Sequence, residues 1–78
     1  MRLPKYKPVS GRKTINILCN KFGFSISGQK GSHVRLSKIT PNGKIGTVIP
    51  LHKELKFGTL KGALKLAKVD LDDFYKYV

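Results

Sequence analysis

Residues 24–50, FSISGQKGSHVRLSKITPNGKIGTVIP, decide the fold, because within them the hydrophobic period is two. Phe24 and Ile26 alternate with Ser25 and Ser27. Gly28-Gln29-Lys30-Gly31 then interrupts, and Val34 and Leu36 alternate with His33 and Arg35. Two alternating runs about a glycine-bearing turn predict a β-hairpin. Pro41-Asn42-Gly43 is a second turn signal, and Ile45, Val48 and Ile49 beyond it supply a third strand that stops at Pro50. This strand breaks strict alternation at Gly46-Thr47, so an irregular register is expected there. Strand side chains alternate between faces, which turns Val34 and Leu36 toward a core and His33 and Arg35 toward water.

The flanks change period. Upstream, Ile15, Leu18, Cys19 and Phe22 fall at i, i+3, i+4 and i+7, which predicts an amphipathic helix over 11–22, with Ser10 as its N-cap and Gly23 at its end. Its opposite face carries Arg12, Lys13 and Asn16, either a solvated basic face or a contact to phosphates. The two prolines in residues 1–9 resist helix, so this segment reads as an extended lead-in whose Leu3 and Tyr6 pack down. Downstream, residues 51–58 read as a connector. Thr59 reads as the cap of a second helix bearing Leu60, Ala63, Leu64 and Ala67 on one stripe. Gly62 weakens that helix by about 1 kcal/mol. Asp70 starts a last short helix with Asp73 in its first turn and Leu71, Phe74 and Val78 facing inward. The expected fold is α+β, in the order α-β-β-β-α: a three-stranded antiparallel sheet with helices on one face and an extra short C-terminal helix. The other sheet face is left open.

Seventy-eight residues suit one domain spanning 1–78, whose small core favours a shallow surface site over a deep pocket. The 16 Lys and Arg against 4 Asp and Glu give a net charge of +12, spread from Arg2 to Lys76. Such a field opposes compaction and favours a polyanionic partner, since each neutralised phosphate releases condensed counterions. Nucleic acid leads; an anionic membrane surface or an acidic protein would meet the same charge. Cys19 is the sole cysteine, which excludes an intramolecular disulfide. No apolar run is long enough to span a bilayer, and Lys5, Lys7 and two prolines interrupt any leader-like stretch before Val9. The expected location is the cytoplasm.

Cleaving RNA without a metal needs a base for the 2′-hydroxyl proton, an acid for the leaving oxygen, and cations for the charge at phosphorus. Histidine suits the first two tasks, because its ordinary pKa lets one imidazole exist in both states near neutral pH. Around His33 stand Lys30 and Arg35 as phosphate clamps, with Gly31 and Ser32 offering donors that approach an oxyanion closely. A lone exposed histidine is also an ordinary surface residue. His52, two residues past Pro50, reads either as a connector residue bonded to nearby backbone or as a supporting RNA contact. His52-x-Glu54 falls short of the three or four ligands a zinc site needs, and Cys19 reads as core, so no metal or other cofactor is expected.

Other motifs lead nowhere. Gly28-Gln29-Lys30-Gly31 matches a GXXG backbone clamp, but that loop joins helices in KH domains and here lies between strands. The glycine spacing from Gly23 to Gly28 would suit a phosphate-binding loop, yet Gln29 stands where lysine is needed. The sheet carries no central aromatics for base stacking, which leaves shape and backbone as the means of recognition.

With Gly31-Ser32-His33 entering the second strand, Ile49-Pro50-Leu51-His52, and Glu54-Leu55-Lys56-Phe57-Gly58-Thr59-Leu60 running into Leu64-Lys65-x-Ala67, nearly the whole chain resembles the HicA family of toxins from toxin-antitoxin pairs. Val69-Asp70-Leu71-Asp72-Asp73-Phe74 is similar to the family's closing helix, while Lys68 stands where glycine often follows the alanine. The resemblance implies a fold like a double-stranded-RNA-binding domain and metal-independent cleavage of mRNA. It implies His33 as the catalytic histidine of the Gly-Ser-His motif and a HicB-like antitoxin that covers the cleavage surface. Lys30, His52, water and His33 itself remain available as the proton donor. Two rival readings are a non-catalytic RNA-binding module, ribosome-associated or regulatory, and a basic surface built only to hold an acidic protein.

Overall fold

The computed structural model describes residues 6–78, in the order α1 (Gly11–Lys21), β1 (Ser25–Lys30), β2 (His33–Thr40), β3 (Gly43–Pro50), α2 (Phe57–Ala67) and α3 (Leu71–Tyr75). The strands form one antiparallel sheet in the order β1-β2-β3. Core side chains from α1 (Ile15, Leu18), the sheet (Val34, Leu36, Ile49), α2 (Leu60, Leu64) and α3 (Phe74) meet in one cluster. Both long helices therefore cover the same sheet face, and the α-β-β-β-α expectation holds. Leu3 lies outside the described residues; Tyr6 packs against Phe57 and Tyr75, with ring centroids 5.3 and 5.1 Å away.

Caps set the helix boundaries. Ser10 Oγ accepts from the Lys13 amide at 3.0 Å, and the helix it opens ends at Phe22, followed by Gly23 at φ 77°. Asp70 Oδ2 accepts from the amides of Asp72 and Asp73, which starts α3 where expected. The second helix departs from expectation. It begins at Phe57 with Lys56 as a cap lacking any side-chain bond, so Thr59 lies inside the first turn and the connector is shorter than 51–58.

The hairpins differ from the reading in two places. Only Gly31 and Ser32 form the first turn, with Lys30 paired to His33; Gly31 at φ 58° occupies the first central position, where a type II′ turn asks for glycine. Gly28, Gln29 and Lys30 therefore belong to β1 and do not interrupt it. The irregularity expected at Gly46-Thr47 is instead a bulge between Ile26 and Gly28. β3 pairs with β2 without a shift from Thr40↔Gly43 to His33↔Pro50. Thr47 is buried and satisfied, since its hydroxyl donates to the Ala63 carbonyl at 2.8 Å, so a polar residue occupies a regular inward position. Ile26, on the edge strand beyond the helices, is 60% exposed and not part of the core that Phe24 joins.

One junction ties the sheet to α1. The Gly11 amide donates to the His52 carbonyl at 2.9 Å, and the Leu51 amide donates to the Ser32 carbonyl at 2.7 Å. A Cβ at Gly11 would collide with the Pro50 carbonyl, which is backbone and has little room to give. Replacing Gly11 by Ala is expected to cost about 1–3 kcal/mol through overpacking. Replacing Gly62 by Ala, in an open position inside α2, is expected to add about 0.5–1 kcal/mol. Urea unfolding of the two variants checks both signs.

Candidate nucleic-acid interface

The open sheet face is built by alternation within β2. His33 and Arg35 are exposed while Val34 and Leu36 are buried, as the pattern demanded. His33 is the first residue of β2 and has Lys30 directly opposite on β1 and Pro50 on β3. Directly paired residues hold their Cβ atoms about 4.5–5.5 Å apart, so the Lys30 ammonium and the imidazole rise from neighbouring points. Arg35 follows about 7 Å further along the strand on the same face. A phosphodiester lying along β2 would meet all three.

Arg35 has a seat that sequence reasoning missed. It pairs with Gly28 across the bulge and with Val48 on the other side. A Cβ on Gly28 would come within 3.0 Å of a guanidinium nitrogen of Arg35, so the side chain lies across the glycine. Ser27 Oγ donates to the Arg35 carbonyl at 3.4 Å. Beyond Arg35 the face continues as a shallow hollow of about 480 Å³ whose lining includes Arg35, Ser37, Lys44 and Val48. Ser37 and Lys44 could have been found by extending the β2 alternation and the antiparallel register through the Pro41-Asn42-Gly43 turn.

The turn that precedes His33 is held from both sides. Gln29 donates its amide to the Gly31 carbonyl at 3.0 Å, and the Ser32 carbonyl accepts from Leu51. Gly31 and Ser32 are exposed, which leaves the Ser32 hydroxyl at the surface beside His33. The structure brings Lys30, Gly31, Ser32, His33 and Arg35 together as one patch. His52 is different: it is exposed, its carbonyl is taken by Gly11, and it lines a separate hollow with Ser10, Arg12, Leu51 and Lys53. No hydrogen bond joins it to His33. Glu54 lines another hollow, with Tyr6, Val9, Leu55, Phe57 and Tyr75, so His52 and Glu54 diverge. Among the described residues no three His, Cys, Asp or Glu side chains gather at one point.

The acids lie elsewhere. Asp70 caps α3, Asp72 accepts from the Tyr6 hydroxyl at 2.8 Å, and Asp73 pairs with Lys76 at 3.1 Å. Hydrogen bonding to Asp73 raises the Lys76 ammonium, while burial raises the Tyr75 phenol, whose hydroxyl donates to the Lys7 carbonyl at 2.7 Å. Among the described residues the cations of the sheet face therefore meet no carboxylate. Among the described residues no helix is long and apolar enough to cross a membrane.

The open sheet face thus sets a histidine among cations on a small α+β scaffold. Residues 11–69 match the model of the HicA toxin of bacterial toxin-antitoxin systems. The chain belongs to this family, so it is a toxin-family protein for which an antitoxin partner is implied. No curated protein and no solved structure matches it.

Cys19 is half-buried against the core, and burial raises its thiol above the ordinary value of 9.0. Its raised pKa makes it a poor thiolate source at neutral pH. Iodoacetamide should therefore label the folded chain more slowly than the urea-unfolded chain, as followed by mass spectrometry. The unfolded thiol ionises first as pH rises through 9.0, so the native state then holds more protons and loses relative stability. The raised Tyr75 phenol acts in the same direction. Wild type should accordingly lose more of its urea midpoint between about pH 7 and about pH 10 than a Cys19→Ala, Tyr75→Phe variant, in which only the groups common to both chains titrate.

Proposed function

We propose that this chain is a metal-independent endoribonuclease that cleaves mRNA, with His33 as its catalytic residue, and that a HicB-like antitoxin inhibits it by covering the open sheet face. The observation that carries this reading is the pairing of His33 with Lys30 on an exposed, acid-free strand face, with Arg35 next along the same strand. Family membership supports the toxin role.

The chemistry follows from that row. RNA lies along β2 with the scissile phosphate between Lys30 and Arg35, whose charges offset the negative charge that grows on the non-bridging oxygens. The Gly31 and Ser32 amides and the Ser32 hydroxyl add donors at the same end. His33 takes the proton of the adjacent 2′-hydroxyl, the 2′-oxygen bonds to phosphorus, and the bond from phosphorus to the 5′-oxygen breaks. The products are a 2′,3′-cyclic phosphate and a 5′-hydroxyl. The imidazolium formed in the first transfer is the proton source for the leaving oxygen, which lets one histidine act in turn as base and acid. Arginine cannot fill the acid role, because its guanidinium keeps its proton throughout the neutral range. His52 is assigned a supporting contact to flanking RNA, in keeping with its place on the adjoining hollow.

Incubating the purified protein with a long single-stranded RNA in EDTA tests the proposal. His33→Ala should lose at least about a hundredfold in cleavage rate, the typical contribution of a positioned acid or base, while its circular dichroism stays unchanged. RNA bound by both proteins and cut by neither would make the chain a binding module and overturn the enzymatic reading.

A further inference from the structure

Beyond the sheet face, a second hollow of about 440 Å³ runs along the exposed side of α1, lined by Arg12, Lys13, Asn16, Asn20, Lys21 and Tyr77. We propose that this helix face is a track for RNA backbone, gripping the strand that flanks the scissile linkage; the proposal rests on reading the chain as one that acts on RNA. Three observations carry it.

The first is charge. α1 contains no acid, and among the described residues Arg12, Lys13 and Lys21 have no carboxylate partner. Three uncompensated cations along one hollow favour a phosphate chain. The second is spacing. Arg12, Asn16 and Asn20 succeed one another four residues apart and Lys13 adjoins them, so these four share one side of the helix, while Lys21, further round its last turn, lines the same hollow, about 14 Å from the first cation to the last. The two amides offer donors to phosphate or 2′-hydroxyl oxygens between the cationic ends. At the far end the half-exposed Tyr77 ring, with Lys21 Nζ 5.5 Å from its centroid, presents an aromatic surface on which a base can stack.

The third observation is continuity with the histidine. His33 pairs with Pro50, Ser32 bonds to Leu51, and the next residue, His52, bonds to the first residue of α1. The hollow containing His52 and Lys53 also contains Ser10 and Arg12, so it bridges the sheet end to the start of the track. A strand leaving His33 over Leu51 and His52 arrives at Arg12. Interaction with an acidic protein would use the same cations, but it gives no role to the paired amides and the terminal ring.

Binding of a fluorescent single-stranded RNA of about twelve nucleotides, measured by anisotropy against salt, tests the track. Both variant sets are built on His33→Ala so that cutting does not intervene. Arg12→Gln, Lys13→Gln and Lys21→Gln together should weaken binding about tenfold or more and lower the salt slope by about 2, as expected for three lost contacts to a single strand. The control set, Lys56→Gln, Lys61→Gln and Lys65→Gln, removes the same charge from the α2 side and should change affinity less than about threefold. All six positions are exposed, and circular dichroism checks the fold. Equal losses in the two sets would mean that net charge alone governs binding and would overturn the track, as would unchanged affinity in the α1 set. Failure of the parent protein to bind RNA would overturn this proposal together with the RNA-acting reading. Failure of the wild type to cut RNA that it binds would sink only the catalytic role of His33.

Discussion

Burial of Val34 and Leu36 is the constraint on which the rest of the molecule depends. Both are almost fully enclosed at the centre of the only sheet among the described residues, between helices on one side and flanking strands along their edges. Each contributes about 1.5–3 kcal/mol by leaving water, a large share of the stability available to a chain this small. A slip of one residue in β2 would expose both and drive His33 and Arg35 into the core. The apolar pair thus fixes the face on which the histidine and the arginine stand. The antiparallel register then brings Lys30 opposite His33 and Gly28 opposite Arg35.

Much of this was legible because β2 shows its period openly. His33-Val34-Arg35-Leu36 has one charged or titratable residue for each apolar one, and the two facing directions follow without any tertiary information. Neighbouring strands hid theirs. In β1 a bulge falls beside Gly28, whose missing side chain removes the marker that alternation needs, so strand residues looked like a long interruption. In β3 the inward Thr47 looked like a break, because its satisfaction depends on a carbonyl sixteen residues away. Thr59 resembled a cap while the true start of α2 has none. The apolar stripe of Leu60, Ala63, Leu64 and Ala67 was nonetheless right, since burial, and not the cap, sets the face.

The site was legible in its residues more than in its geometry. Lys30, Gly31, Ser32, His33 and Arg35 are close in sequence, and a two-residue turn keeps them close in space. The position of His52 against α1 depends on a backbone bond to Gly11, and the seat of Arg35 depends on the absence of a side chain at Gly28. Neither close approach has a local signature. Ile39, 82% exposed at the far end of the same open face, shows that this surface is not uniformly polar; nothing in the RNA chemistry proposed here uses it.

Charge explains why so small a scaffold can present an uncovered face. The four acids fall within residues 54–73, where Asp70 caps α3, Asp73 pairs with Lys76 and Asp72 accepts from Tyr6 of the N-terminal segment. The sheet and α1 are left with cations alone, and a bound polyanion would relieve the repulsion among them. The most direct test of the account is to map RNA onto the folded chain. An RNA carrying 2′-deoxyribose at its linkages has no nucleophile to be activated, so it stays intact during ¹H–¹⁵N chemical-shift titration. The account predicts the largest changes from Lys30 through Arg35 and across the sheet at Lys44 and Val48. Changes confined to the aromatic hollow of Tyr6, Phe57 and Tyr75 would contradict it.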